Sequence, residues 1–263
     1  MTKIEVPKLK LNSQYQIPIL GFGTYGLTNP VQSVLDAVKV GYRLFDTAEM
    51  YGNEKEVGQG LNQALADHLV SRSDLFVTTK VSPSHVNYQG VKNAFAASLK
   101  KLNLKYIDLY LIHWPTSDEQ NLGAWKAMEE LVSAGKIRSI GVSNFSENDL
   151  KYLIDNSKTT PAVNQVEYNP GLNKETLRSF CQNQGIVMEA WSPLSRGAVS
   201  GNATLKSLAQ KYQKTSAQID LRWLTQKGIV VIPKSDNSKR RKENFQLFNF
   251  QLKKEELAKI DQL

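Results

Sequence analysis

The chain has 263 residues, 41% of them hydrophobic and 22% charged, which suits one globular α/β unit of about 250 residues with a sizeable core. A single cysteine, Cys181, excludes an intramolecular disulfide framework, and the formal charge of +8 is scattered apart from one cluster near Lys239. No run approaches the roughly 18 apolar residues of a membrane span, and Met1 to Glu5 open with charges rather than an apolar leader, so a cytoplasmic protein is expected. In chain order, Lys8 to Ile17 alternates around a turn and reads as a hairpin at the bottom of a barrel. Apolar, β-branched runs then recur at Ile17–Gly21, Arg43–Asp46, Leu75–Lys80, Tyr106–His113, Ile137–Val142, Ala162–Glu167, Ile186–Trp191 and Ile229–Pro233. Helical patterns fill the intervals: Val31–Lys39, Glu54–Leu69, Val91–Leu102, Leu122–Ala134, Glu147–Asn156, Lys174–Asn183, Thr204–Gln226 and Lys239–Phe248, with a last helix over Lys253–Ile260. Pro30 after Asn29, and Gly135 and Gly185 just past helix ends, agree with these limits. Strict alternation of strand and helix predicts a parallel sheet, and eight such units predict a (β/α)8 TIM barrel in a single domain spanning 1–263.

Gly21-Phe22-Gly23-Thr24-Tyr25-Gly26 matches a dinucleotide-binding fingerprint, with Asp46 about 20 residues further on. The loop of such a fingerprint runs directly into its helix, whereas Leu27 to Pro30 intervene here. These glycines therefore read as close backbone approach at the first barrel strand. The active site of a barrel lies at the C-terminal strand ends, which here carry Thr24, Asp46, Lys80, His113, Ser143-Asn144, Gln165, Trp191 and Lys234. Each has a plainer use when taken alone: Asp46 as a helix cap, Lys80 as a surface charge, His113 as a core histidine, Trp191 as packing. Their joint placement favours a site. A metal cluster is not expected, because His68 and His85 fall in a helix and a loop and only His113 ends a strand.

Read together, these residues make the whole chain resemble an aldo-keto reductase, most similar to the short prokaryotic branch that includes 2,5-diketo-D-gluconate reductases. The stretches that carry the likeness are Gly41 to Glu54, Thr79-Lys80, Leu111 to Pro115, Lys136 to Phe145, Asn164 to Pro170 and Ile232 to Ser235. The resemblance places a catalytic tetrad on Asp46, Tyr51, Lys80 and His113. Carbonyl reduction by hydride leaves an alkoxide that a positioned acid must protonate. By the resemblance Tyr51 is expected to be that acid, with a free phenol pKa of about 10. Lys80 is expected to lower that pKa, Asp46 to charge-balance Lys80, and His113 to orient the carbonyl oxygen. Relatives that reduce steroid C=C bonds carry Glu where His113 stands, so reduction of aldehydes and ketones is implied.

The resemblance further implies NADP(H), held by Gly23, Thr24 and Asp46, by Ser143, Asn144 and Gln165 at the carboxamide, and by Trp191 stacked on the nicotinamide. It also implies Ser192 and Leu194 at the pyrophosphate, Lys234, Ser235 and Arg240 around a 2′-phosphate, and Glu243 and Asn244 near the adenine. Arginine forks and a helix N-terminus suit phosphate, although Lys239 to Lys242 also read as a solvated helix face. Asp236 adds a carboxylate where relatives often have an apolar residue. Phe22, Tyr25, Tyr51, Ser82, His113 and Trp114 are expected around the substrate. Ser82 stands where many relatives have Trp, and the chain stops soon after its last helix. Both features imply an open pocket for small aldehydes, α-dicarbonyls or keto sugars. The expected partner set is a small carbonyl substrate only, with no nucleic acid or membrane, in a monomer. The rival reading is a barrel that binds NADPH as a redox sensor with little turnover.

Overall fold

A computed structural model describes residues 5–263; residues 1–4, on which the absence of a leader was read, lie outside the described residues. Strands β1 (Lys8–Lys10) and β2 (Gln16–Pro18) pair antiparallel as the expected hairpin. Eight further strands form one parallel sheet: β3 (Gly21–Gly23), β4 (Leu44–Asp46), β5 (Phe76–Val81), β6 (Ile107–Ile112), β7 (Ile137–Ser143), β8 (Val163–Glu167), β9 (Val187–Trp191) and β10 (Val230–Val231). Consecutive strands are neighbours throughout, and the sheet closes on itself where Leu20 bridges Val231 and Val231 N donates to Ile19 O at 3.0 Å. The fold is the parallel α/β barrel that eight strand-helix units predict.

Ten α-helices surround it among the described residues: α1 (Pro30–Val40), α2 (Glu54–Ala66), α3 (Tyr88–Leu102), α4 (Asp118–Ser133), α5 (Glu147–Asn156), α6 (Glu175–Asn183), α7 (Ala203–Tyr212), α8 (Ser216–Gln226), α9 (Ser238–Phe245) and α10 (Lys254–Ile260). Two expectations need correction. The first barrel strand begins at Gly21 rather than Ile17, because Gln16–Pro18 is committed to the hairpin. The long pattern Thr204–Gln226 is two helices. Gln213 ends α7 in the left-handed region at φ 53°, and Thr215 starts α8 with a reciprocal cap in which its side chain and that of Gln218 satisfy each other's backbone N–H groups. That cap was a legible Thr-x-x-Gln signal.

Alternation along each strand divides the apolar residues into two cores. Leu44, Phe76, Leu109, Leu111, Val163, Val230 and Ile232 fill the barrel, and Leu11 and Ile17 of the hairpin pack against them as a floor. The hairpin tip is tied down where Asn12 Nδ2 donates to Pro161 O at 2.9 Å. Outward-facing strand residues such as Phe45, Val77, Tyr110, Ile112 and Val142 join the helices in the larger shell. Gly21 and Gly23 owe their identity to the closing seam: a Cβ on Gly21 would lie 2.5 Å from Leu44 Cγ, and one on Gly23 would lie 2.7 Å from Ile232 O. The fingerprint-like glycines thus serve β3 packing, as the intervening loop suggested.

Candidate active site

The strand β4 ends on Asp46, which faces into the barrel, and the chain then turns through a short 3₁₀ segment, Glu49–Tyr51. Gly52, at φ 66°, ends that turn and lets Asn53 lead directly into α2. Asn53 is buried and braces the turn: its Nδ2 donates to Thr24 O at 2.8 Å, and its Oδ1 accepts from Thr47 Oγ1 at 3.0 Å. A tyrosine mounted this way sits at the barrel lip with little freedom. Thr24 in turn donates both its N–H and its hydroxyl to Asp46 O, at 3.0 and 2.9 Å.

Lys80 rises from β5 into the same space and is fully buried. Its ammonium donates to Asp46 Oδ1 at 2.7 Å, to Thr47 O at 3.0 Å and to Tyr51 Oη at 3.1 Å. Burial opposes the charge on Lys80, but Asp46 and then Tyr51 outweigh it and hold the ammonium above its ordinary pKa. Lys80 acts to lower the Tyr51 pKa, as expected, but it does not set the net direction. Burial raises it more than Lys80 lowers it, so the phenol is held as a proton donor. His113, at the end of β6, lies edge-on to Tyr51 with ring centroids 5.6 Å apart. Burial, and then the charge on Lys80, lower its pKa to about 3, so it is a neutral imidazole. The four groups therefore form an acid, its cationic partner, that partner's counter-ion and a neutral hydrogen-bonding ring, all around one point at the barrel mouth.

The next strand ends are linked to one another. Ser143 Oγ donates to Gln165 O at 2.8 Å, and Asn144, at φ 63°, donates from Nδ2 to His113 O and Ser143 Oγ, both at 3.0 Å. Trp191 Nε1 donates to Asn144 Oδ1 at 2.9 Å, which orients the half-buried indole beside Trp114, 6.5 Å away between ring centroids. Gln165 turns its amide nitrogen inward, to Asp46 Oδ2 at 2.8 Å and Glu189 Oε2 at 3.1 Å. After β9 the loop is strained, with Ser192, Ser195, Arg196 and Gly197 all at positive φ, and it carries Ser192 and Leu194. Beyond β10, Lys234 Nζ is 2.6 Å from Asp236 Oδ2, whose other oxygen accepts from Thr28 N at 3.0 Å. Arg240 is exposed on the first turn of α9, near the buried Ser235, while Glu243 and the buried Asn244 lie further along the same helix.

Arg241, read as part of a solvated face, is buried and organises this loop. It donates to Ser235 O, to Asp236 O and to Asp36 Oδ2 from α1. Phe22 also differs from expectation. Because Gly21 and Gly23 face the barrel interior, Phe22 points to the helix shell, where it is buried against Tyr42 and Phe45 and does not line the mouth. Tyr25 and Trp114 are exposed there, joined by Met50, which sequence reasoning did not single out. Ser82 is half-buried beside them, its N–H held by Glu49 Oε2 at 2.8 Å, while Glu49 Oε1 meets His85 Nδ1 at 2.7 Å. Glu49, Asn53 and Glu189 were missed as well. Glu189 alone left a signal, a charge in an apolar strand two residues before Trp191. Among the described residues there is no group of three or more His, Cys, Asp or Glu able to hold a metal.

The Aldo/keto reductase family model matches residues 20–263. The chain belongs to the aldo/keto reductase family. It is 43% identical over 258 residues to glyoxal reductase of Bacillus subtilis, covering 97% of this chain and 92% of that protein. A crystal structure of an aldo/keto reductase from Brucella melitensis superposes with a TM-score of 0.93 at 44% identity, over 98% of this chain and 99% of that one. The Bombyx mori aldo-keto reductase AKR2E4, solved in complex with NADP, gives 0.93 at 40% identity, over 99% and 93%. In this member of the family, the aspartate, tyrosine, lysine and histidine meet at one end of the barrel, with Ser143, Asn144, Trp191 and Lys234 at or just past the ends of later strands.

Proposed function

We propose that Tyr51 is the general acid of an aldehyde and ketone reductase that uses NADP(H), with Lys80 and Asp46 as its charge relay and His113 as the group that orients the carbonyl. The observation that carries this reading is the three-way contact of Lys80 Nζ with Asp46, Thr47 and Tyr51 in a fully buried setting. When bound, the cofactor supplies the hydride. The residues present suit it: Trp191 offers a fixed aromatic face, the Gln165 amide oxygen accepts no hydrogen bond among the described residues, and the loop after β10 presents Lys234 and Arg240 beside the first turn of α9.

Tyr51 Oη–H delivers its proton to the developing alkoxide, and Lys80 stabilises the phenolate left behind. A neutral His113 donates an N–H to the carbonyl oxygen without competing for the proton. Gly23, Thr24, Ser143, Asn144, Gln165, Ser192, Leu194, Ser235, Glu243 and Asn244 complete the cofactor contacts in this reading. Tyr25, Trp114, Met50 and Ser82 form an open rim, two of its four side chains aromatic. It suits small aldehydes, α-dicarbonyls and keto sugars, the last in keeping with the short prokaryotic diketogluconate-reducing branch.

The proposed site needs no residue from a second copy, and this reading takes the chain as a monomer with one catalytic domain over residues 1–263. No helix among the described residues is long and apolar enough to cross a membrane, and a lone buried cysteine accords with a cytoplasmic site of action. The test is NADPH oxidation against an aromatic aldehyde, methylglyoxal, diacetyl and 2,5-diketogluconate, with Tyr51→Phe alongside. Turnover that collapses in the variant while NADPH still binds is the expected result. Tight NADPH binding with no turnover of any carbonyl in the wild type would replace the reductase with a cofactor sensor.

A further inference from the structure

Glu189 sits in the middle of β9 on the inward face it shares with Trp191, and it is completely buried. Its register neighbours are Gln165 on β8 and Val230 on β10. Its one hydrogen bond is from Gln165 Nε2 to Oε2, and Oε1 has no partner among the described residues. The same Gln165 nitrogen donates to Asp46 Oδ2, so one amide spans two carboxyl groups. The charged or titratable groups that act on Glu189 are Asp46 from β4 and Lys80 from β5; Glu189 in turn acts on Tyr51 at the lip, while β10 offers it only apolar side chains. Lys80 spends its three donors on Asp46, Thr47 and Tyr51, leaving none for Glu189. The interior thus holds one cation and two carboxyls, and the carboxyl without the cation is the one that burial keeps protonated.

We propose that Glu189 is a positioning residue of this active site: held behind Gln165 as a neutral acid, it fixes the amide that donates to the Asp46 oxygen not taken by Lys80 and leaves the Asp46–Lys80 pair charge-balanced while Tyr51 alternates between phenol and phenolate. This inference rests on the reading of Tyr51 as the acid. Burial first, and the Asp46 charge second, push the Glu189 carboxyl up to about 8. Above that pH a second negative charge enters the interior and holds the Tyr51 proton more tightly. The phenolate required for alcohol oxidation is then opposed by Glu189 itself, which makes Glu189 a brake on the alkaline side.

Infrared difference spectra of wild type and Glu189→Gln in D₂O, together with pH profiles of kcat/KM for alcohol oxidation, test this. The wild-type-minus-E189Q difference should show a carboxylic-acid carbonyl band at neutral pD, over and above any common band from the buried Asp220, that fades through about pD 8. Above that pH the oxidation profile of E189Q should keep rising where the wild type flattens, giving a ratio that grows to about tenfold in favour of the variant, as one removed like charge predicts. No such band in the difference spectrum, or profiles that differ by a constant factor at all pH values, would overturn the proposal, because a merely structural role lowers both limbs alike. If E189Q does not fold, Glu189→Met removes the charge at similar volume and is read in the same way. Retained turnover in Tyr51→Phe would end the acid assignment, while the infrared band would still decide the state of Glu189.

Discussion

Lys80 Nζ lies closer to Asp46 Oδ1, at 2.7 Å, than to Tyr51 Oη, at 3.1 Å; the lysine and the aspartate are shut away from water, while the tyrosine is half-buried at the lip. The ion pair therefore has a structural role beside its proposed catalytic one. In Asp46→Asn the ammonium stays buried without its counter-charge, which costs about 3–5 kcal/mol. Because Asp46 holds the Lys80 pKa above its ordinary value, the stability it contributes is fully present below that ordinary value and is lost as pH rises through the folded one. Denaturant unfolding of D46N at neutral pH should show the full loss, with a shrinking difference from wild type only at strongly alkaline pH.

A neutral His113 predicts that no histidine step shapes the reductive profile. With its pKa lowered to about 3, kcat/KM for aldehyde reduction should show no inflection from this ring between about pH 5 and 8. The same shift carries a stability cost in acid: the neutral ring is accommodated in full above the ordinary histidine value of about 6.5, and stability falls as pH drops from there toward 3. Carbon NMR of the imidazole should report the neutral form down to at least pH 5, and a titration near 6.5 would contradict the buried setting.

Asp236 neutralises Lys234 and clips the loop to Thr28 N, which places a carboxylate where a 2′-phosphate is proposed to sit. Asp236→Ala should tighten NADPH relative to NADH by about fivefold, the worth of roughly 1 kcal/mol at a solvent-exposed pair. Fluorescence titration with each cofactor measures it. An unchanged ratio would place the phosphate away from Lys234.

Asp220 on α8 is fully buried, with neither carboxylate oxygen hydrogen-bonded among the described residues, and burial raises its pKa well above the ordinary value. The raised value means folding takes up a proton: the penalty is absent in acid, begins as pH rises through the unfolded pKa and grows to the folded one. Asp220→Leu should stabilise the protein at neutral pH by about 1–3 kcal/mol. That is worth roughly 2–4 °C in Tm for each kcal/mol. Thermal melts at two pH values check it, since the gain should shrink in acid.

Much of this protein was legible before its structure. Eight apolar runs separated by helical periodicity determine a barrel, since period and length alone distinguish strands from helices, and the residues at the strand ends determine where Asp46, Lys80 and His113 must gather. Local pattern also decided that Gly21 and Gly23 serve packing, because the loop after them does not enter a helix.

Direction and company were decided only by tertiary structure. Phe22 lies between two glycines, and its outward face follows from the seam those glycines close with Ile232, a contact more than two hundred residues away in sequence. Arg241 reads as one cation in a basic run until the approach of α1 buries it against Asp36. The net rise of the Tyr51 pKa could not be inferred from a nearby lysine, because desolvation depends on how completely the neighbouring strands exclude water. Glu189 is the clearest case. Its charge state and its link to Asp46 exist only because closure of the barrel brings β4 and β9 to one interior layer, where a single amide must serve two carboxyl groups and only one of them has a cation.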